Sequence, residues 1–266
     1  MRRAGSALPI WAFGLIWALP LLYAVWSAVH PPLYSTIFDP LAPLTWRNFA
    51  QAWNGAPFAR YFLNTILLVS FTVVIQCVLA TLAGFAFARL VFPGRDLLFA
   101  ALLLQLMISP SLLLVWNYRE ISWLGLADTI PAMGIPYLGS ALGIFLLRQN
   151  FRTIPAELDD AARLEGCSLL GRLWKVYVPL SRGTYVAFAL TSIAYHWNDF
   201  LWPLIVSDSV ATRPLTVGLE IFATPDQGVQ WSLVAAATLL SSAPLLIAFL
   251  IFQRQFVQSF LRVGIR

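Results

Sequence analysis

The polar residues of this chain fall in clusters, and between the clusters the sequence stays apolar for long stretches. The apolar runs lie at about 9–29, 62–88, 97–117, 130–147, 183–206 and 230–253. A bilayer hydrocarbon core of ~30 Å needs ~20 apolar residues per helix. The pattern therefore predicts an all-α polytopic membrane protein with six transmembrane helices. Pro110 falls in the third run, Pro131 and Pro136 fall near the start of the fourth, and Asp199 alone interrupts the fifth. Six spans and short connectors account for the chain, so a single transmembrane domain over 1–266 is expected.

The connectors differ in length and character. Arg89 to Asp96 is short, with Pro93-Gly94 as a turn signal. After Thr45, the residues Trp46, Phe49, Ala50 and Trp53 recur at i, i+3, i+4, i+7, which predicts a short amphipathic helix with a Thr N-cap. Two readings stand for it: a Trp-anchored interfacial helix, or a docking surface for an external partner. The segment from Asp208 to Trp231, with Arg213, Glu220, Pro225, Asp226 and Gly228, is the second long outer connector.

Composition sharpens the membrane reading. Hydrophobic residues make up 59% and charged residues 11%, against roughly 25% charged in soluble domains, and the mean hydropathy is +0.76. A soluble domain has too little interior to hide so much apolar surface, and a disordered chain is excluded on the same ground. The formal charge of +5 would suggest nucleic acid in a soluble protein; here it reports topology. With both termini cytoplasmic, Arg2, Arg3, Arg89, Arg95, Arg148, Arg152, Arg163, Arg172, Lys175, Arg182, Arg254, Arg262 and Arg266 lie inside. Only Arg47, Arg60, Arg119 and Arg213 lie outside. That distribution obeys the positive-inside rule, and the reverse orientation violates it. The first apolar run exceeds a secretory h-region and no cleavage site follows it, so it reads as an uncleaved span.

Catalytic chemistry finds little support. Cys77 and Cys167 make no disulfide framework, and His30 and His196 stand far apart. No phosphate-cradling loop, HExxH or nucleophile elbow occurs. The chain reads as a non-enzyme with no metal site and no cofactor of its own.

The cytoplasmic stretch from Arg148 to Arg182 is different, holding six of the 17 basic and four of the 12 acidic residues. Pro155 suits a first helical position, and Glu157, Asp159 and Asp160 complement a helix N-terminus. Gly166 suits a left-handed position that ends the helix. A second amphipathic segment follows, with Leu169, Leu173, Val176 and Tyr177 on one face, and Pro179 is expected to stop it. A helix–Gly turn–helix over 154–179 results, and Ala161 and Ala162 permit close approach by another protein.

This loop resembles a known pattern. Asp160-Ala161-Ala162-x3-Gly166-x9-Val176-x-Val178-Pro179 is similar to the EAA loop of ABC-importer permeases, E-A-A-x3-G-x9-I-x-L-P. Asp160, Val176 and Val178 replace Glu, Ile and Leu. The stretches Arg60–Thr65, Phe92–Arg95, Gly143–Gln149, Trp197–Pro203 and Phe252–Val257 resemble the carbohydrate-uptake branch, the second and shorter permease of the maltose type. The ending from Arg262 to Arg266 departs from that family's small-residue terminus. The resemblance implies an ABC importer type I permease fold in a bacterial inner membrane. Its implied partners are a second permease subunit, two cytoplasmic ATPases that bind ATP and Mg, and an external substrate-binding protein. It also implies a sugar or polyol cargo moved by alternating access. Glu157, Asp160, Ala161, Ala162, Gly166 and Pro179 become the ATPase-coupling residues.

Polar groups inside spans are costly and usually face a neighbour or a cavity. Asn64, Gln76, Gln105, Trp197, Asn198 and Asp199 are the pathway or gate candidates, with helix–helix hydrogen bonding as the competing reading. An ATP-independent secondary transporter or channel subunit is the alternative function. That class often carries inverted repeats and intramembrane acids; no repeat is evident here, and Asp199 is the one acid within a predicted span.

Overall fold

The computed structural model describes the backbone of residues 7–35, 37–222 and 229–264, and side chains for 13–35, 37–222 and 229–253. Arg2, Arg3, Pro225, Asp226, Gly228 and Arg266, and the side chains of Arg254 and Arg262, lie outside the described residues. Regular structure among the described residues is helical throughout. The helices are α1 (Ala7–Val29), α2 (Arg47–Gly55), α3 (Phe58–Arg89), α4 (Arg95–Leu104), α5 (Leu114–Trp123), α6 (Ile130–Gly134) and α7 (Ala141–Thr153). They continue as α8 (Ala156–Leu164), α9 (Leu169–Arg172), α10 (Val178–Leu180), α11 (Arg182–Asn198), α12 (Leu201–Val206), α13 (Leu215–Gly218) and α14 (Trp231–Gly264). A wide π-helical turn, Leu173–Tyr177, joins α9 to α10.

The chain divides into two compact units. One comprises Met1–Leu63 with Pro214–Leu246, the other Asn64–Arg213 with Ile247–Arg266. In the first, the buried Asn48 side chain donates to Ala28 O and His30 O, both at 2.8 Å, and pins α2 to the end of α1. Helix α2 starts one residue later than the pattern implied. Trp46 occupies the cap position, and the Thr45 hydroxyl accepts the Arg47 N–H at 3.2 Å. Asn48 and Ala52 face inward while Trp46 and Trp53 are exposed, an inside-out arrangement suited to lipid contact.

The second unit repeats this inversion along α3. Asn64, Thr65, Thr72, Gln76 and Thr81 are buried, whereas Leu67, Val74, Val78 and Leu82 are exposed. Apolar outside and polar inside is the arrangement a helix adopts where the solvent is hydrocarbon. Small residues bring neighbours close. At Gly143 a Cβ would stand 2.6 Å from the nearest carbon of the Phe188 ring, so the α11 side chain packs directly on the α7 backbone.

Six uninterrupted spans do not form. Among the described residues two helices are long and apolar enough to cross a membrane unbroken, Phe58–Arg89 and Trp231–Gln253. Two bent pairs raise the number to four: Arg95–Met107 with Pro110–Trp123 at 95°, and Ile130–Tyr137 with Ala141–Thr153 at 50°. The first break has a local cause. Pro110 offers no N–H and drives Ser109 to extended geometry (ψ 130°), so the rod predicted for 97–117 turns there. In the second, Ser140 leaves helical geometry and caps α7, accepting the Gly143 N–H at 3.2 Å. The run predicted for 183–206 also divides, at Asp199-Phe200.

Candidate functional site

The loop after α7 has the predicted helix–Gly turn–helix form. Helix α8 opens after Pro155, which sits at the cap position (φ −54°, ψ 139°) rather than inside the first turn, and carries Glu157 and Asp159 at its N-terminal end. Gly166 adopts φ +76°. Its N–H bonds Arg163 O and the Cys167 N–H bonds Ala162 O, both at 3.0 Å. These two bonds are the Schellman closure, which spares two orphan carbonyls of α8. Glu157, Asp160, Ala161 and Gly166 are exposed, while Ala162 packs inward.

The second half of the loop departs from expectation. Leu173 and Tyr177 are fully buried, but Leu169 is exposed. Pro179 does not stop the helix. It lies within α10, behind the π-helical turn, and the chain breaks at Ser181. A wide turn shifts the hydrogen-bond register, so the missing proline N–H falls where it is tolerated.

A buried polar ring underlies this loop. Arg172 Nη1 donates to Asp159 Oδ2 at 2.6 Å, tying α9 to α8, and both side chains are largely buried. Arg89, the last residue of α3, donates from Nη2 to Phe151 O at 2.8 Å and to Ile154 O. Its guanidinium stands 5.2 Å from the centroid of the Tyr177 ring. Tyr177 meets Phe85 edge-on at 5.0 Å and Phe151 at 5.5 Å. Burial pushes the Tyr177 phenol above its ordinary range, and the Arg89 charge opposes that shift. None of Arg89, Asp159, Arg172 and Tyr177 stood among the coupling residues named from sequence.

The intramembrane candidates separate into two groups. Gln76 is a tie between elements: its Nε2 donates to Tyr137 O at 2.6 Å and meets His196 Nε2 at 3.1 Å, and its Oε1 accepts from Ser192 Oγ at 2.5 Å. Since the Gln76 amide nitrogen only donates, His196 Nε2 must accept, which fixes the neutral Nδ1–H tautomer. Asn64 is buried and donates to Ala211 O and Arg213 O, at 2.8 and 2.9 Å, holding the loop after α12. Gln105 reaches Gly139 O at 3.3 Å, and Trp197 is buried in the last turn of α11.

Asn198 and Asp199 instead line an open cavity of about 450 Å³, with Ser111, Tyr137, Tyr195 and Phe200 among its walls. Asn198 is held by a bond to Ala194 O at 2.8 Å, and the Asp199 carboxylate accepts the backbone N–H groups of Phe200 and Trp202. Tyr137 and Tyr195 stand at 6.3 Å and 70°. Sequence reasoning missed both tyrosines. Tyr195 was within reach, because it precedes Asn198 and Asp199 by three and four residues and so shares their helical face; Tyr137 arrives by tertiary folding alone.

Asp128 was also missed. It holds φ +58°. Its Oδ1 accepts the Asp208 and Ser209 N–H groups at 2.9 and 3.0 Å and the Thr212 hydroxyl. Burial pushes this carboxyl up, but the bonds from Thr212, Ser209 and Asp208 outweigh it and hold the pKa at about 2.

Comparison with known proteins decides the family. Residues 4–262 match the model of the binding-protein-dependent transport system inner membrane component family. The chain belongs to that family. It is a permease subunit of a binding-protein-dependent ABC importer, a non-catalytic multi-pass membrane protein. The permease is 31% identical over 259 residues to the probable ABC transporter permease protein YurM of Bacillus subtilis, covering 94% of this chain and 85% of that one. It is 29% identical over 280 residues to the arabinooligosaccharides transport system permease protein AraQ of Halalkalibacterium halodurans, with 100% of each covered. Its fold resembles a chain of a solved bacterial ABC transporter involved in import of the acidic polysaccharide alginate, with TM-score 0.84, 21% identity and 95% of each chain covered.

Proposed function

We propose that this permease carries a sugar or related polyol and is driven by cytoplasmic ATPases that grip the loop from Ile154 to Pro179. The observation that carries the reading is the Schellman-closed helix α8, with Glu157, Asp160 and Ala161 exposed along it and Gly166 exposed in its closing turn. Such a turn presents acids and small residues to a protein cleft without a bulky side chain in the way. Asp160 pairs with a basic group of the ATPase, and Gly166 turns the chain inside the cleft. ATP and Mg bind in that partner.

The six apolar segments, the broken ones included, each cross the membrane as parts of one transmembrane domain, with both termini cytoplasmic. The charge distribution supports that topology. A second permease completes a heterodimer of the maltose type, and an external binding protein delivers the cargo. Asn198, Asp199, Tyr137 and Tyr195 line the pathway, where aromatic faces and planar polar groups suit a polyhydroxylated solute. The arabinooligosaccharides for which the AraQ relative is named belong to that class.

One experiment tests the arrangement. With Cys77 and Cys167 replaced and Ala161→Cys introduced, a thiol- and amine-reactive cross-linker joins the loop to the ATPase in native membranes, and ATP depletion stops uptake. Full-rate uptake after ATP depletion overturns the proposal.

A further inference from the structure

We propose that Arg89, Asp159, Arg172 and Tyr177 form a buried latch that makes the cytoplasmic loop and the end of α3 one moving body, so that a push on α8 is delivered to a membrane-spanning helix. The inference rests on the reading that the ATPase engages this loop, and it concerns what happens after that contact.

The geometry makes the latch continuous. The Asp159–Arg172 pair joins the two halves of the loop at 2.6 Å. Tyr177, in the second half, is clasped between Phe85 of α3 and Phe151 of α7. Arg89 closes the circuit. It takes up the carbonyls of Phe151 and Ile154, where α7 ends and the loop begins, and its cation faces the Tyr177 ring. A cation at a helix C-terminus complements the partial negative charge there, here supplied across a tertiary contact by a different helix. Displacing α8 without moving α3 requires breaking these bonds in a buried setting.

The latch is also incompletely satisfied. Arg172 Nε and Arg89 Nε are buried without a hydrogen-bond partner, and the Tyr177 hydroxyl is buried beside the Asp159 carboxylate. These buried groups leave unused hydrogen-bonding capacity inside the latch. These four residues are positioning residues: they touch neither ATP nor cargo.

The test is the ratio of solute transported to ATP hydrolysed, measured on the complete importer in proteoliposomes. Arg89→Met keeps the aliphatic stem and removes the carbonyl bonds and the cation. It should retain the ATPase on co-purification and retain ATP hydrolysis, while transport per ATP falls about tenfold, within the usual span of coupling effects. Arg89→Lys should recover part of the ratio. If Arg89→Met does not accumulate, the near-isosteric Asp159→Asn, which weakens the pair with Arg172, carries the test, with the same loss of ratio expected. An unchanged ratio in Arg89→Met, or in Asp159→Asn where Arg89→Met does not accumulate, overturns the latch. Failure of the loop–ATPase contact itself would show separately, as no cross-link from Ala161→Cys in the otherwise unaltered protein.

Discussion

Gly166 separates two explanations of the loop by size. Its φ of +76° lies in the left-handed region, and a Cβ built there has nothing within 4 Å. This chain therefore imposes no steric limit, only a conformational one. A residue with a Cβ in that region costs roughly 1–2 kcal/mol, and Asn tolerates it better than Ala because its side chain bonds locally. If conformation alone matters, Gly166→Ala should lose about a factor of ten in the fraction of correctly turned loops, and Gly166→Asn should be close to the parent. If the turn is gripped in a cleft of the ATPase, bulk adds to strain. The order of function then becomes Gly above Ala above Asn, with Gly166→Leu abolishing substrate-stimulated hydrolysis while the protein stays in the membrane. The assay is ATP hydrolysis by the reconstituted complex with loaded binding protein, normalised to ATPase retained. Gly166→Asn matching the parent while Gly166→Ala falls would refute docking at this turn, since nothing in the permease itself explains a dependence on size.

Three further outcomes follow from the geometry. Gly143→Ala gains about 1 kcal/mol of helix propensity but drives a Cβ to 2.6 Å from the buried Phe188 ring; overpacking of ~1–3 kcal/mol should win, lowering the thermal midpoint of the detergent-solubilised protein, and an equal or higher midpoint would contradict the close α7–α11 approach. The depressed Asp128 pKa means its bonds stabilise fully above the ordinary carboxyl range near pH 4 and lose that contribution as pH falls through about 2. Because the group is partly exposed, its worth is discounted to ~1 kcal/mol; the midpoint gap between parent and Asp128→Asn should be present at pH 6 and shrink by pH 3, and a constant gap counts against it. Tyr195→Ala and Asp199→Asn, which alter the cavity wall, should change the concentration dependence of uptake, and unchanged kinetics in both would remove that cavity from the pathway.

The legible part of the site was local. Gly166 announced its own turn, because a left-handed residue four places beyond Ala162 closes a helix by bonds within the same short segment. The helix–Gly turn over 156–166 was found for that reason. The breaks at Ser109 and Ser140 lay in view as Pro110 and as a serine ahead of a helix, yet hydropathy averages over such positions, so runs that looked like single rods turned out bent by 95° and 50°. Gln76 stood between pathway lining and helix–helix hydrogen bonding, and the chain alone could not say that its partners were Ser192, His196 and Tyr137 O.

By itself, then, the sequence determined that the chain belongs in lipid, and the placement of its basic residues singled out one charged loop. Composition and charge placement act through the solvent, which every residue meets wherever it ends up. Only the tertiary structure decided that Arg89 reaches the carbonyls of Phe151 and Ile154, that Arg172 pairs with Asp159, and that two tyrosines from different segments stand by Asn198 and Asp199. Those partners are distant in the chain, and a buried polar group chooses among partners by where packing brings them, which no periodicity records.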